Sequence, residues 1–304
     1  MTDKIILILL VISVHSINGQ QISTKQTSTG GKEEVHIDFV GTGNLQSSLS
    51  QGDEIQGSAG LGVIYERFRG YEAKVVRSFE IEALINIAST VDTITAKITE
   101  GNLQNQRDFG AYVLNPISTK QSLFINSNIY FNPDGVDEEK TLFNKIASVI
   151  SGLNFRVISS NSVWNYDENT SSNLGVLSIR YGIFHEFLPD DKIRDEYGKS
   201  KYSVFLGLNG GHRGIYGDIS SETNEPIRRL FLGSNRTDFS GVEFNFGFRL
   251  NNIRAEFQMP LLTGSDKADI NGLTDTQFLF TIRFVGGFSL KLNDKNKEEE
   301  ETKS

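Results

Sequence analysis

Residues 241–262 read GVEFNFGFRLNNIRAEFQMPLL. Two alternating runs flank Asn251-Asn252. Asparagine tolerates positive φ, so this pair suits a two-residue hairpin turn. Such a turn fixes the register of its strands. Leu250 then faces Ile253, Phe248 faces Ala255, Phe246 faces Phe257, Phe244 faces Met259 and Val242 faces Leu261. Every one of these pairs is apolar. The opposite face pairs Arg249 with Arg254, Gly247 with Glu256, Asn245 with Gln258 and Glu243 with Pro260. One side is apolar without exception, and the other is small or polar and carries full charges.

The same period-two signal runs from residue 33 to residue 292. Phe278, Phe280, Ile282, Phe284, Phe288, Leu290 and Leu292 share one phase, opposite Gln277, Thr281, Arg283, Gly287, Ser289 and Lys291. Phe79–Ile87, Leu123–Phe131, Leu177–Phe187 and Tyr202–Leu208 alternate in the same way, with Glu80, Glu82, Arg180 and Glu186 in the polar phase. Weaker strands are expected at 35–40, 58–68, 91–98, 109–114, 155–163 and 227–232. Such alternation means a sheet with one apolar and one polar face. One segment differs. In 138–151, Leu142, Phe143, Ile146, Val149 and Ile150 recur at helical spacing behind a run of acids, which predicts a short amphipathic helix.

The 304 residues contain no cysteine, which removes disulfides, thiolate metal sites and cysteine nucleophiles together. The net charge of −8 gives the chain as a whole no basic footprint for nucleic acid. Residues 1–19 read as a secretion signal: Lys4, an apolar run from Ile5 to Val14, then a small or polar exit ending at Gly19. That run is too short for a spanning helix, which needs roughly 20 apolar residues. Residues 20–32 form a polar leader and 293–304 an acidic tail of disordered composition.

A secreted soluble sandwich or lipocalin-like barrel also alternates. Three features favour a membrane barrel instead. Full charges occupy mid-strand positions of the polar phase, the apolar phase is rich in Phe, Ile and Leu to the strand ends, and aromatic residues (Tyr65, Tyr71, Tyr130, Trp164, Tyr166 and Tyr202) collect near those ends. On these residues the chain resembles outer-membrane β-barrel proteins of Gram-negative bacteria, of the porin-like kind. The run QFLFTIRFVGGFSLKL at 277–292 is similar to the aromatic last strand that the barrel-assembly machinery reads, although here a charged tail follows it. The resemblance implies an all-β, antiparallel, up-and-down transmembrane barrel. Its strand count is set at about 12, within a range of roughly 10–14. It also implies outer-membrane lipid and the assembly machinery as partners. Short turns face the periplasm in such barrels, which places Asn251-Asn252 and the acidic tail there.

No residue pattern implies a cofactor, and an integral membrane hydrolase, which would need a Ser, a His and an acid converging at one rim, is a distant third reading behind the two below. His185 and Glu186 are neighbours on one strand and point to opposite faces, so they form no dyad. The acidic stretch 132–139 lacks EF-hand spacing because Val136 occupies a ligand position. Gly207, Gly210, Gly211 and Gly214 suit turns and barrel wall and form no phosphate loop. The first functional expectation is a passive channel whose lumen is lined by Glu80, Glu82, Arg180, Glu186, Glu243, Arg249, Arg254, Glu256 and Arg283. The alternative is a non-conducting structural or assembly barrel that binds another envelope protein through loops or tail. Arg249 opposite Arg254 separates the two: water in an open pore would screen the pair, whereas Glu256, Glu80 or Glu82 would neutralise it in a dry network.

Overall fold

The computed structural model describes residues 34–48, 56–69, 75–89, 93–95, 113, 121–132, 142–165, 171–187, 202–232, 235–250, 252–263 and 278–292. The signal, the leader and the acidic tail lie outside them. Ten strands form a closed antiparallel barrel: β1 (Glu34–Ser48), β2 (Gln56–Phe68), β3 (Val76–Ser89), β5 (Gln121–Phe131), β6 (Gly152–Asn165), β7 (Ser171–Phe187), β8 (Tyr202–Tyr216), β9 (Asp238–Leu250), β10 (Ile253–Thr263) and β11 (Leu279–Leu292). Each pairs with its neighbours in sequence. The pair β1–β11 joins the two ends of the described chain, and β6–β7 is continuous with the rest, so no strand of the ring has a free edge. A short β4 (Thr93–Thr95) lies parallel to the end of β6.

The hairpin between β9 and β10 has the register that its turn and facial polarity dictate, with Phe246 opposite Phe257 and Asn245 opposite Gln258. The two phenyl rings stack, with centroids 6.3 Å apart. The barrel inverts ordinary burial. Phe246 is 47% exposed and Ile85 59%, while Arg180 and Glu243 are each 2% exposed. A soluble protein with that polarity would show water a continuous wall of Phe, Ile and Leu. The arrangement fits a hydrocarbon surround, where only helices and closed barrels satisfy the backbone. Among the described residues no helix is long and apolar enough to cross a membrane.

Several expectations need correction. The ring has ten strands rather than about 12. Residues 227–232 are helical, not extended: α2 spans Glu225–Leu232. The acid Glu225 and Pro226 suit a helix start, and Arg229 pairs back to Glu225 at 3.0 Å, one turn away. Ile227, Leu230 and Phe231 fit a period of 3.6, which a six-residue window did not separate from alternation. Within 91–98 the described strand is only β4, outside the ring, and within 109–114 the described residue, Val113, is helical. The expected helix at 138–151 is present as α1 (Leu142–Val149), its predicted start lying outside the described residues. There are thus two described helices of eight residues rather than one.

Of the aromatic residues assigned to the rims, Tyr130 and Trp164 point inward and are buried, while Tyr202 is exposed on the outer wall. Tyr71 and Tyr166 lie outside the described residues. The connection between β9 and β10 marks one end of the barrel, here called the turn rim. Val35 pairs with Leu292, so β1 begins and β11 ends at that same rim. The opposite end is the loop rim.

An arginine at Phe246 is expected to cost about 2–4 kcal/mol in unfolding measured in phospholipid vesicles, and an arginine at Asp238, the first residue of β9, about 0–1 kcal/mol. Equal costs at the two positions would contradict a lipid-bathed wall.

Candidate functional site: the lumen

Alternation sends every second side chain inward, so the lumen is built from the polar phase of all ten strands. Its centre is a carboxylate held by two guanidinium groups. Arg180 Nη1 donates to Glu243 Oε1 at 2.6 Å, and Arg213 Nη2 donates to Glu243 Oε2 at 2.9 Å. Arg180 also donates to Gln258 Oε1 at 3.3 Å. Each oxygen of Glu243 therefore has its own cation, which is how a buried charge is tolerated.

A second carboxylate organises the neighbouring level. Asn245 Nδ2 donates to Glu256 Oε1 at 2.7 Å. Arg254 Nε lies 3.6 Å and Arg156 Nη2 3.9 Å from Glu256 Oε2. Arg156 is on β6 and Glu256 on β10, with β7, β8 and β9 between them around the wall. Their contact therefore crosses the lumen. Arg283 on β11 likewise reaches Glu82 on β3 past β1 and β2, donating through Nη1 to Oε2 at 3.0 Å and through Nη2 to Oε1. Arg249 on β9 bonds the Tyr130 hydroxyl on β5 and lies in the field of Glu186 and Glu80. Glu80 also accepts from Asn128 Nδ2 at 2.8 Å.

The register opposes like charges repeatedly. Arg249 faces Arg254, Arg254 faces Arg283, Arg156 faces Arg180 and Glu66 faces Glu80. Direct opposition of this kind destabilises a sheet pair unless other groups offset it. For the arginine pairs, carboxylates reaching in from other strands do so here, and Glu80 is met by the Asn128 amide. Arg254 gains in addition the face of Phe205, its guanidinium carbon 4.4 Å from the ring centre.

Part of the inner face is apolar. Val40, Leu84, Phe124 and Ile158 form a buried cluster with Ile64 and Val285 packed against it, drawn from β11, β1, β2, β3, β5 and β6. Arg156 and Arg283 both cover the Phe124 ring, at 5.5 and 5.2 Å from its centroid. At the loop rim, the inward residues Trp164, Leu174 and Val176 are fully buried, and so is Ile219 from a 3-10 turn at Asp218–Ser220. Gly217 enters that turn at φ 89°, and a Cβ there would lie 2.7 Å from the Asn173 carbonyl oxygen. Arg228 of α2 fastens the segment, donating to the backbone oxygens of Ile219, Ser221 and Asn235 at 2.8–3.0 Å. The carboxyl of Glu225, outside the wall, is held below its ordinary range by the Asn235 amide and then by Arg229.

All nine residues expected to line the lumen lie on the inward phase of their strands. Eight of them meet one another or polar neighbours in the contacts above, and Glu186 lies in the electrostatic field of Arg249. Sequence reasoning placed Gln258 on the inner face opposite Asn245 but missed Arg156, Arg213 and Tyr130, although each holds an inward position in an alternating run. Arg213 was hidden in a glycine-rich stretch that proves to be the β8 wall. His185 is on the outer wall and Glu186 on the inner, so the two are separated. His212 Nδ1 lies 3.0 Å from Ser240 Oγ on the exposed outer wall. Among the described residues no carboxylate bonds that imidazole. Residues 133–139 lie outside those described.

No protein-family model and no curated protein sequence matches the chain. Among solved structures it is similar to the outer membrane protein OprD from Pseudomonas aeruginosa, at 9% identity and a TM-score of 0.21, covering 88% of this chain and 96% of that one. It is also similar to OpdQ of the same organism, at 9% identity and TM-score 0.17, covering 86% and 100%. OpdL, again from Pseudomonas aeruginosa, gives 10% identity and TM-score 0.17, covering 86% and 99%.

Replacing Glu243 by Gln leaves Arg180 and Arg213 without their carboxylate. Unfolding experiments are expected to show a loss of about 3–5 kcal/mol. Replacing the trio by Leu, Met and Leu, which removes all three charges, should recover most of that loss. A single mutant as stable as the parent would mean that water, not protein, solvates these arginines.

Proposed function

We propose that the chain is a bacterial outer-membrane β-barrel whose lumen is closed by its own side chains, a structural barrel that acts through its rims. The observation that supports this reading is the set of contacts crossing the lumen, Arg156 with Glu256 and Arg283 with Glu82. They occupy the space through which a solute would pass. The apolar wall supports the membrane setting, and the short turn at 251–252 supports a periplasmic turn rim, with the acidic tail on the same side. A rim that offers loops and a charged tail suits another envelope protein as partner, delivered to the membrane by the barrel-assembly machinery.

A second reading, a passive porin-like channel, draws on the turn rim. There Arg249, Glu80, Glu186 and Asp38 are only half-buried and form a charged vestibule. In that reading the network is a constriction that sets charge preference.

Planar-bilayer recording separates the two. The occluded barrel is expected to give no sustained single-channel current, and a current should appear when Arg156 and Glu256 are both replaced by Ala. A steady ohmic conductance in the unmodified barrel, shifting toward cations when Arg249 and Arg254 are both replaced by Glu, would establish the channel and overturn the structural reading.

A further inference from the structure

The outer wall carries one groove of about 480 Å³, and its lining is almost wholly apolar. It follows the rows of side chains that run across the strands. One row is His185, Leu206, Phe246 and Phe257, each opposite the next in the register. A parallel row, Ile183, Leu208, Phe244 and Met259, forms the other side. His185 is two residues from the turn-rim end of β7, while Phe278, at the other end of the lining, immediately precedes β11 at the loop rim. The groove therefore climbs obliquely from one membrane interface toward the other.

His185 is the one ionisable side chain that points outward in this lining. Its ring meets the edge of Phe187, with centroids 4.8 Å apart. Nδ1 is covered and makes no hydrogen bond. A polar ring in an apolar groove without a partner is unfavourable, so the groove calls for a polar group at this end. The end of α1 borders the same place. Ile150 lines the groove, Ser151 Oγ accepts from the Glu186 backbone N–H at 2.8 Å, and Ile146 and Val149 stay exposed beyond it. Ile146 and Val149 of α1 thus add exposed apolar side chains at the turn rim, just before the groove residue Ile150 in the chain.

We infer that this groove binds one phospholipid, its acyl chain along the oblique rows and its phosphate at His185, with the apolar side of α1 resting in the same leaflet. The inference rests on the membrane-barrel reading above. An amphiphile fits because the site joins a long apolar channel to a single polar atom at its interfacial end. A free anion lacks the first contact and a plain hydrocarbon the second.

The test uses the full-length barrel reconstituted in vesicles of phosphatidylethanolamine, extracted into a maltoside detergent and weighed by native mass spectrometry. The expected result is one retained phosphatidylethanolamine per barrel. His185→Leu, which keeps the groove apolar, should lower retention by roughly 10- to 100-fold, the effect of losing a hydrogen bond to a charged group. His185→Gln, which keeps a donor, should restore part of it. Leu208→Trp, which fills the groove, should abolish it. Inorganic phosphate should not compete. Equal retention by the parent and His185→Leu overturns the inference, and so does competition by phosphate alone, which would mark a simple anion site. A barrel that inserts but retains no lipid loses only this inference. One that fails to insert into the vesicles loses the membrane reading and this inference with it.

Discussion

The structure depends on one constraint: a closed wall that is apolar outside must dispose of its charges inside. Closure satisfies the backbone without exposing a strand edge. It also sends the polar phase of every strand into a confined space, where an unpaired charge is costly. Glu243 between Arg180 and Arg213, Glu256 between Arg254 and Arg156, and Glu82 on Arg283 are the local answers to this requirement. Each answer draws on strands that are not neighbours, because neighbours in the register so often carry the same sign.

The interior has two characters. The walls from β7 to β10 supply most of the charged centre, while β11 through β6 supply the apolar cluster around Phe124. Arg156 and Arg283 belong to both, since each stacks on the Phe124 ring and pairs with a carboxylate. Their aliphatic stems and flat guanidinium groups suit this boundary. A lysine in either place would keep the charge and lose the stacking, so the choice of arginine follows from the geometry.

The hairpin at 241–262 was legible in full because turn length, register and facial polarity agree there, and each alone would flip if slipped by one residue. The fate of Arg249 and Arg254 was legible as a choice between water and carboxylates; of the three acids offered for the second outcome, Glu256 lies beside Arg254 and Glu80 near Arg249, while Glu82 goes to Arg283 instead. The apolar cluster was not legible. Val40, Leu84, Phe124 and Ile158 each sit singly in a polar phase, where one apolar residue passes for an irregularity. Only the curvature of the closed sheet brings them together. Trp164 misled for a related reason: its position near a strand end suggested an interface, but its phase pointed inward. The strand count was overestimated because a six-residue stretch such as 227–232 holds too few turns to reveal its period.

The separation of partners along the chain has a consequence for how the barrel is made. Glu82 and Arg283 are 201 residues apart. The carboxylate thus belongs to the third strand and its cation to the last. While β11 is missing, Glu82 lacks the guanidinium of Arg283, and the Phe124 cluster lacks Val285 and one of its two covering guanidinium groups. An unfinished barrel is therefore marked by exposed charge in its lumen, and zipping β1 to β11 removes that mark in the same step. Seam closure and neutralisation of the interior are one cooperative event, so a chain truncated before its last strand lacks more than two rows of hydrogen bonds.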